Sequence, residues 1–204
     1  SRSSAAAIIG PMTIGPLDAT PRYRPRRLEL RDGRCVTLRG ICEADAAEII
    51  QAFERLSANT RYMRFMQHKK EVDPAVLHRG VRPVAGREFA FVATVPADDG
   101  IDIVGAARYV PASGADGQDG DPDTCEFAIT VADDWRGTGL ANELLASLVR
   151  RARHDGYRVI EGSVLAENAP MLALARLLQF KVAPRAGDAT LVRVWRELQP
   201  AARA

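Results

Sequence analysis

Hydrophobic residues change their spacing along this chain, and the change predicts its secondary structure. Residues 88–95 are almost wholly apolar, and residues 101–110 follow after a short polar turn, so the two segments predict a β-hairpin. A further strand is predicted at residues 126–131, and a leucine-rich amphipathic helix at residues 140–152. Strands come first and then alternate with helices, an order that is typical of a mixed α/β sheet.

Capping residues predict where other helices begin. Ser57 is expected to open a short helix, and Asp73 followed by Pro74 is an N-cap with a proline at the first helical position. Asn168 is expected to cap a later helix that has Pro170 in its first turn. The remaining predicted elements are strands at residues 34–39, 157–165 and 191–198 and a helix at residues 44–56.

Composition favours one globular domain preceded by an arm. The chain has 204 residues, of which 47% are hydrophobic, enough to bury a sizeable core. Residues 1–26 are rich in proline and show no hydrophobic period, so we expect a flexible arm there and the folded domain at residues 27–204. No apolar run reaches the roughly 20 residues that span a bilayer, so neither membrane insertion nor secretion is expected and the predicted location is cytoplasmic.

Charge and cysteine content narrow the possible functions. A net charge of +2 is too small to indicate nucleic-acid binding. The three cysteines, Cys35, Cys42 and Cys125, are not spaced as metal ligands, so no metal site is expected and free thiols are the simplest interpretation. Cys125 adjoins a candidate functional strand, but its sequence context contains no histidine that would activate it as a nucleophile.

The polar turn between the strand at residues 126–131 and the following helix is the strongest candidate ligand site. A glycine-containing turn that opens a helix exposes backbone N–H groups at the positive end of the helix dipole, where phosphate groups bind. A P-loop is excluded because no lysine is near, and a dinucleotide fingerprint because Asn142 stands where a third glycine or alanine belongs. An ordinary strand-to-helix connection is the alternative.

Arg136, Gly139 and Ala141 supply the pattern Arg/Gln-x-x-Gly-x-Gly/Ala, which resembles the acetyl-CoA-binding signature of the GNAT acetyltransferases. The resemblance extends over about residues 27–198. It is carried by segments at residues 31–33, 36–39, 56–57, 61–65, 104–105, 126–131, 164–168, 171–172 and 179–180. Together they are similar to the acetyltransferase domain of the bacterial protein-lysine acetyltransferases that modify acyl-CoA synthetases. The resemblance implies an α/β fold with a mixed, mostly antiparallel central sheet, flanking helices and two splayed parallel strands that hold the coenzyme.

The same resemblance assigns residues to the cosubstrate, acetyl-CoA. Backbone groups near Ile129 and Val131 would bind the pantetheine arm. Asn168 matches a family position that contacts the coenzyme, although asparagine also suits a helix N-cap. The pyrophosphate would bind through Arg136 and through the backbone N–H groups of Gly137, Thr138, Gly139, Leu140 and Ala141.

Glu126 matches the glutamate that the protein-acetylating branch places at the start of the coenzyme strand. A lysine amine has a pKa near 10.4 and is mostly protonated at neutral pH, so a carboxylate must accept its proton before or during attack on the thioester. We therefore expect an acetyl-CoA-dependent N-acetyltransferase with Glu126 as general base. A protein lysine is the preferred acceptor and a small-molecule amine the alternative. By the same resemblance, Arg61 or Arg64 could orient an acidic feature of the acceptor.

Two departures from the family pattern leave open a non-catalytic function. Many members place a tyrosine general acid seven residues after the asparagine, where this chain has Ala175. The glycine that precedes the final phenylalanine is replaced by Gln179. A non-catalytic acyl-CoA-binding sensor is therefore the alternative to an enzyme, and the oligomeric state cannot be read from the sequence.

Overall fold

A computed structural model describes residues 23–66, 70–113, 120–185 and 187–199. In these ranges the strands are β1 (Arg26–Glu29), β2 (Cys35–Gly40), β3 (Phe89–Ala97), β4 (Gly100–Pro111), β5 (Thr124–Val131), β6 (Val159–Leu165), β7 (Lys181–Arg185) and β8 (Asp188–Glu197). The helices are α1 (Ala46–Arg55), α2 (Ala58–Phe65), α3 (Pro74–Gly80), α4 (Leu140–His154) and α5 (Ala169–Leu177). The strands form one sheet in the order β1-β2-β3-β4-β5-β6-β8-β7.

The predicted hairpin lies near the middle of the sheet. β3 and β4 pair from Phe89↔Tyr109 to Ala97↔Gly100, and residues 98 and 99 form the turn between them. β3 is buried over most of its length because helices cover both faces of the sheet. Burial on both faces explains why its sequence is an apolar run without alternation.

Helices pack on the two faces of the sheet. Adjacent side chains of a strand point to opposite faces. Tyr109 of β4 donates a hydrogen bond to Asp155 at the end of α4, whereas the guanidinium of Arg108 lies beside Gly80 at the end of α3. α4 therefore covers one face, and α1, α2 and α3 cover the other. Within the described ranges no helix combines the length and apolar character needed to cross a membrane.

β5 and β6 are parallel neighbours that separate after a short pairing. They pair from Thr124↔Val159 to Glu126↔Glu161 and no further. β4 stays paired with the rest of β5, and β8 stays paired with β6, so each strand keeps its outer partner beyond the separation. A gap therefore opens in the sheet after Glu126. The predicted α/β fold class, mostly antiparallel with two splayed parallel strands, is confirmed.

The predicted helix starts agree with the structure. The side-chain oxygens of Ser57, Asp73 and Asn168 accept hydrogen bonds from backbone N–H groups at 3.2 Å, 2.8 Å and 3.2 Å, so each residue is an N-cap. Other element ends differ by a few residues. A 3-10 turn at Glu43–Asp45 precedes α1, and β6 begins two residues after the predicted strand start at residue 157.

Two strands, β1 and β7, were not predicted from the sequence pattern. Both are short; β1 is mostly polar, and β7 has a charged residue at each end and contains Pro184. They lie at the two edges of the sheet, where a strand pairs on one side only and needs less apolar sequence. Their existence depends on a neighbouring strand that offers hydrogen-bond partners, which a local pattern does not reveal.

The predicted N-terminal arm at residues 1–26 overlaps the folded part of the chain. β1 begins at Arg26, and the ring of Tyr23 packs edge-on against Phe91 with ring centres 4.6 Å apart. Residues 1–22 lie outside the described residues, so the arm stays a prediction there.

Candidate active site

A cleft of about 960 Å³ lies where β5 and β6 separate. It is bordered by β5, by the turn that precedes α4, and by the start of α5. Glu126 lines it, and so do eight of the residues predicted to bind the coenzyme: Ile129, Val131, Arg136, Gly137, Gly139, Leu140, Ala141 and Asn168. The tertiary structure therefore brings residues from both sides of the sheet opening to one place.

The turn before α4 is shaped by two glycines in a left-handed conformation. Gly137 has a φ of 75° and Gly139 a φ of 92°, a region that side chains with a Cβ rarely adopt. Between them the hydroxyl of Thr138 is buried; it donates to the carbonyl of Trp135 (2.8 Å) and accepts from the N–H of Leu140 (3.2 Å). The side chain of Thr138 thus stabilises the turn instead of lining the cleft.

Backbone donors of this turn are available to a ligand. In the part of the chain that the structure describes, the N–H groups of Gly137, Thr138, Gly139 and Ala141 donate to no protein acceptor. α4 begins immediately afterwards, so its dipole adds partial positive charge at the same place. A diphosphate fits such a site because its oxygens accept several converging hydrogen bonds.

Arg31 also lies against this turn, a contact that the sequence did not predict. Its N–H donates to the carbonyl of Thr138 (3.1 Å), and a Cβ on Gly139 would lie 3.3 Å from its Cγ. The side chain is exposed and lines the cleft. Arg31 is distant from the turn in the sequence and reaches it through the fold, so no local pattern indicates the contact.

Arg136 is held in position by a network around Asp133. Its guanidinium lies 3.1 Å from Asp133 and donates to the hydroxyl of Thr60. Asp133 accepts from the N–H of Ser57 (2.9 Å) and from the hydroxyl of Thr60 (2.6 Å). Partial burial acts to raise the pKa of Asp133, but these hydrogen bonds outweigh it and lower the pKa. The network fastens the turn to the N-terminus of α2.

Backbone groups of β5 face the cleft beside Ile129 and Val131. On one side these residues pair with Ala107 and Gly105 of β4. On the other side β6 has moved away. In an antiparallel pair, alternate residues direct their N–H and C=O groups towards the partner and the others direct them outward. The outward groups of β5 beyond Glu126 therefore remain free for the amides of an extended ligand.

Asn168 can combine the two roles considered for it. It caps α5 through the N–H of Met171, and it also lines the cleft. Ala175 is fully buried, and none of the described residues that line the cleft is a tyrosine. Gln179 has a φ of 62°, the left-handed conformation in which the glycine of the family pattern would be unstrained.

Trp135 and Cys125 are both buried within the fold. Trp135 is 9% exposed, and the guanidinium of Arg34 stacks 4.1 Å from its ring centre, so it packs within the fold. Burial raises the pKa of the Cys125 thiol to about 12, which argues against a nucleophilic thiolate. Among the described residues no group of three His, Cys, Asp or Glu side chains is placed to hold a metal ion.

Glu126 lies where the two parallel strands part, and its side chain is exposed to the cleft. Loss of hydration among the cleft walls, followed by repulsion from Glu161, raises the pKa of Glu126 above its ordinary value. Arg185 and Arg64 act in the opposite direction without cancelling the effect. A carboxylate with a raised pKa holds a proton more readily and is thus better suited to act as a general base.

A second cavity, of about 190 Å³, adjoins the cleft on the face covered by α1, α2 and α3. Arg64, Ala128 and Thr130 line both spaces. The other walls of this cavity are mainly apolar and include Ile49, Phe53, Phe65, Val76 and Leu77. The rings of Phe53 and Phe65 lie 5.8 Å apart, so Phe65 is part of the packing between α1 and α2.

Comparisons with known proteins place this geometry in a family. The family model of the acetyltransferase (GNAT) domain matches residues 36–181. Acetyltransferase PA5475 of Pseudomonas aeruginosa is 36% identical over 181 residues, which cover 88% of this chain and 87% of that protein. The GNAT domain of S. lividans PAT has a TM-score of 0.77 at 25% identity, over 85% of this chain and 97% of that one.

A further solved structure contains the expected cosubstrate. The putative acetyltransferase yncA from Salmonella typhimurium, solved with its cofactor acetyl-CoA, has a TM-score of 0.60 at 22% identity, over 82% of this chain and 96% of that one. At this identity the likeness demonstrates a common fold. The family-model match over residues 36–181 and the 36% identical relative show that the chain belongs to the GNAT acetyltransferases, enzymes that use acetyl-CoA as cosubstrate.

Proposed function

We propose that the protein transfers the acetyl group of acetyl-CoA directly to a primary amine, with Glu126 as the general base. The observation that carries this proposal is the position of Glu126, an accessible carboxylate with a raised pKa at the point where β5 and β6 separate. A pantetheine arm bound between the parted strands would bring its thioester close to this carboxylate.

The reaction needs one nucleophile, one base and one leaving group. The amine nitrogen attacks the carbonyl carbon of the thioester, and its proton passes to Glu126 directly or through one water. The carbon–sulfur bond then breaks and CoA leaves as the thiolate. Since no described tyrosine lines the cleft, the thiolate takes its proton from solvent.

The cosubstrate is assigned to the other end of the cleft. Its pyrophosphate binds the unpaired N–H groups of Gly137, Thr138, Gly139 and Ala141, and Arg136 and Arg31 contribute positive charge beside them. The outward backbone groups of β5 near Ile129 and Val131 bind the pantetheine amides. Asn168 contacts the arm from the start of α5 while capping that helix.

Two classes of acceptor fit this reaction. The sequence resemblance favours a protein lysine, and that prediction stands. A small-molecule amine is favoured by one specific observation, the second cavity of about 190 Å³ that shares Arg64, Ala128 and Thr130 with the cleft. A lysine presented by a protein surface would not need this cavity, whereas a small acceptor would gain affinity by filling it.

The test is thiol release from acetyl-CoA in the presence of lysine-containing peptides and small amines. Glu126→Gln keeps the shape of the side chain and removes its basicity. We expect kcat to fall by about 100- to 10,000-fold, the usual contribution of general acid–base catalysis. CoA affinity, measured by calorimetry, should be retained because the phosphate site lies at the other end of the cleft.

The matched control is Glu54→Gln, which makes the same change at an exposed position of α1 that lines neither space. Equal turnover of Glu126→Gln and wild type would remove Glu126 from the mechanism. A wild-type chain that binds acetyl-CoA but releases no thiol with any acceptor would instead favour the non-catalytic sensor.

A further inference from the structure

Arg64 and Arg108 are two arginines on the acceptor side of the sheet that form no ion pair with any described acidic residue. Within the described ranges neither side chain forms an ion pair, and the guanidinium of Arg64 contacts the ring of Phe65 at 4.8 Å. Arg136, which also lines the cleft, is by contrast paired with Asp133. The two unpaired cations therefore need a separate explanation.

Their charges repel each other across the acceptor cavity. Arg64 comes from α2 and Arg108 from β4, and both line the cavity under α1, α2 and α3. Burial, together with repulsion from Arg108, lowers the pKa of Arg64 to about 10, while Glu126 opposes that change. The guanidinium groups still remain protonated at neutral pH. Partly buried like charges cost free energy unless an anion lies between them, so the pair suits an anion supplied by a ligand.

The position of Arg64 relates this anion to the reacting amine. Arg64 lines the cleft together with Glu126, and it lines the apolar cavity together with Arg108. If the amine of the acceptor lies at Glu126, a substituent close to that amine would lie against the two guanidinium groups. An apolar side chain of the acceptor would enter the cavity beside Phe53, because the lining of this cavity is mostly hydrocarbon.

From this arrangement we infer that Arg64 and Arg108 bind the carboxylate of a small acceptor, which is an α-amino acid with an apolar side chain. The inference rests on the proposed function and narrows it. Guanidinium groups recognise carboxylates through paired charge-assisted hydrogen bonds. In an α-amino acid the amine and the carboxylate share one carbon, which suits a base and an arginine that line the same cleft. The ε-amine of a protein lysine has only methylene groups beside it and offers no such anion.

Calorimetry on the CoA-saturated protein tests this without requiring turnover. L-leucine, L-methionine and L-phenylalanine are each compared with the amino alcohol that replaces the carboxylate by a neutral hydroxymethyl group. At least one amino acid should bind about 10- to 100-fold more tightly than its alcohol, the usual effect of a charge-assisted contact. Equal affinity within every pair, or no binding of any amino acid, would overturn the inference.

Variants of Arg64 and Arg108 show whether these two residues cause the preference for a carboxylate. Arg64→Gln and Arg108→Gln should each reduce the preference for the carboxylate at least tenfold. Two variants on different elements guard against one that fails to fold, and thermal unfolding identifies such a case. Arg82→Gln is the control, because Arg82 is exposed, paired with Glu43, and absent from both linings. A preference that survives in both variants would also overturn the inference.

The outcomes separate this inference from the proposed reaction. A carboxylate preference without thiol release would keep the binding site and reject the acetyl transfer. Transfer that needs Glu126 but treats amino acids and alcohols alike would keep the reaction and reject the site. Efficient acetylation of a peptide lysine, with no binding of free amino acids, would overturn the inference and indicate that the acceptor is a protein lysine.

Discussion

The two ends of the cleft are built in different ways. At the proposed cosubstrate end the groups available to the ligand are mainly backbone N–H groups from one continuous turn, and the helix dipole reinforces them. At the acceptor end they are side chains from separate elements, Glu126 on β5, Arg64 on α2 and Arg108 on β4. The proposed cosubstrate end thus depends largely on backbone geometry, whereas side chains from several elements can set the choice of acceptor.

The two ends are connected through Asp133. This carboxylate accepts from Ser57 and Thr60 at the start of α2, and it also pairs with Arg136 at the phosphate turn. α2 in turn carries Arg64 to the acceptor side. A disturbance of either end can therefore reach the other through one short segment, and variants can separate local from transmitted effects.

The largest effect is expected for Gly139→Glu, which should break the cosubstrate end alone. A Cβ here would meet Arg31 at 3.3 Å, φ is 92°, and the new carboxylate would repel phosphate. CoA affinity should fall at least about 100-fold, a loss of roughly 2.8 kcal/mol, as measured by calorimetry. The control is Gly86→Glu, which has a φ of 75° and open space around it. Unchanged CoA affinity in Gly139→Glu would count against phosphate binding at the turn before α4.

An intermediate effect is expected for Asp133→Ala, which should weaken both ends. Removing this acceptor leaves hydrogen-bond donors of Ser57 and Thr60 without their partner, so the free energy of unfolding should fall by about 1–3 kcal/mol in chemical denaturation. CoA affinity should fall roughly tenfold because Arg136 loses its anchor. Asp134→Ala, at an exposed neighbouring position, is the control. If Asp133→Ala alters stability without affecting CoA binding, the two ends are independent.

The smallest effect is expected for Glu161→Gln, which should change the pKa of Glu126 at the acceptor end without removing any proposed contact to a ligand. Glu161 raises the pKa of Glu126 by repulsion, so its neutralisation should lower that pKa. Activity depends on the ionised base and is lost as pH falls through this pKa. The acidic limb of kcat/KM should therefore move to lower pH, as measured in a pH–rate profile. Glu197→Gln, on an exposed side chain paired with Lys181, should leave the limb in place, and an upward movement in Glu161→Gln would contradict the assignment.

Local sequence indicated more of the residues at the proposed cosubstrate end than at the proposed acceptor end. The two glycines, Arg136 and the helix that follows are contiguous, so their spacing could be interpreted without a structure. Asn168 could also be predicted as a helix cap, because capping depends on residues within one turn. Arg31 and Arg108 carried no local signal. Each reaches its place through strand pairing, β1 and β2 bringing Arg31 to the turn and β4 placing Arg108 under α3.

Sequence alone determined most of the order of strands and helices and the glycine turn with its exposed N–H donors, since these depend on spacing within a few residues. The candidate base Glu126 came from the family resemblance. Only the tertiary structure decided that β5 and β6 part after Glu126, because that depends on the outer partners β4 and β8. It likewise decided that Arg64 and Arg108 line the same cavity although neither forms an ion pair with a described acidic residue. Charges from distant segments acquire an energy of interaction only when folding removes the water and distance between them.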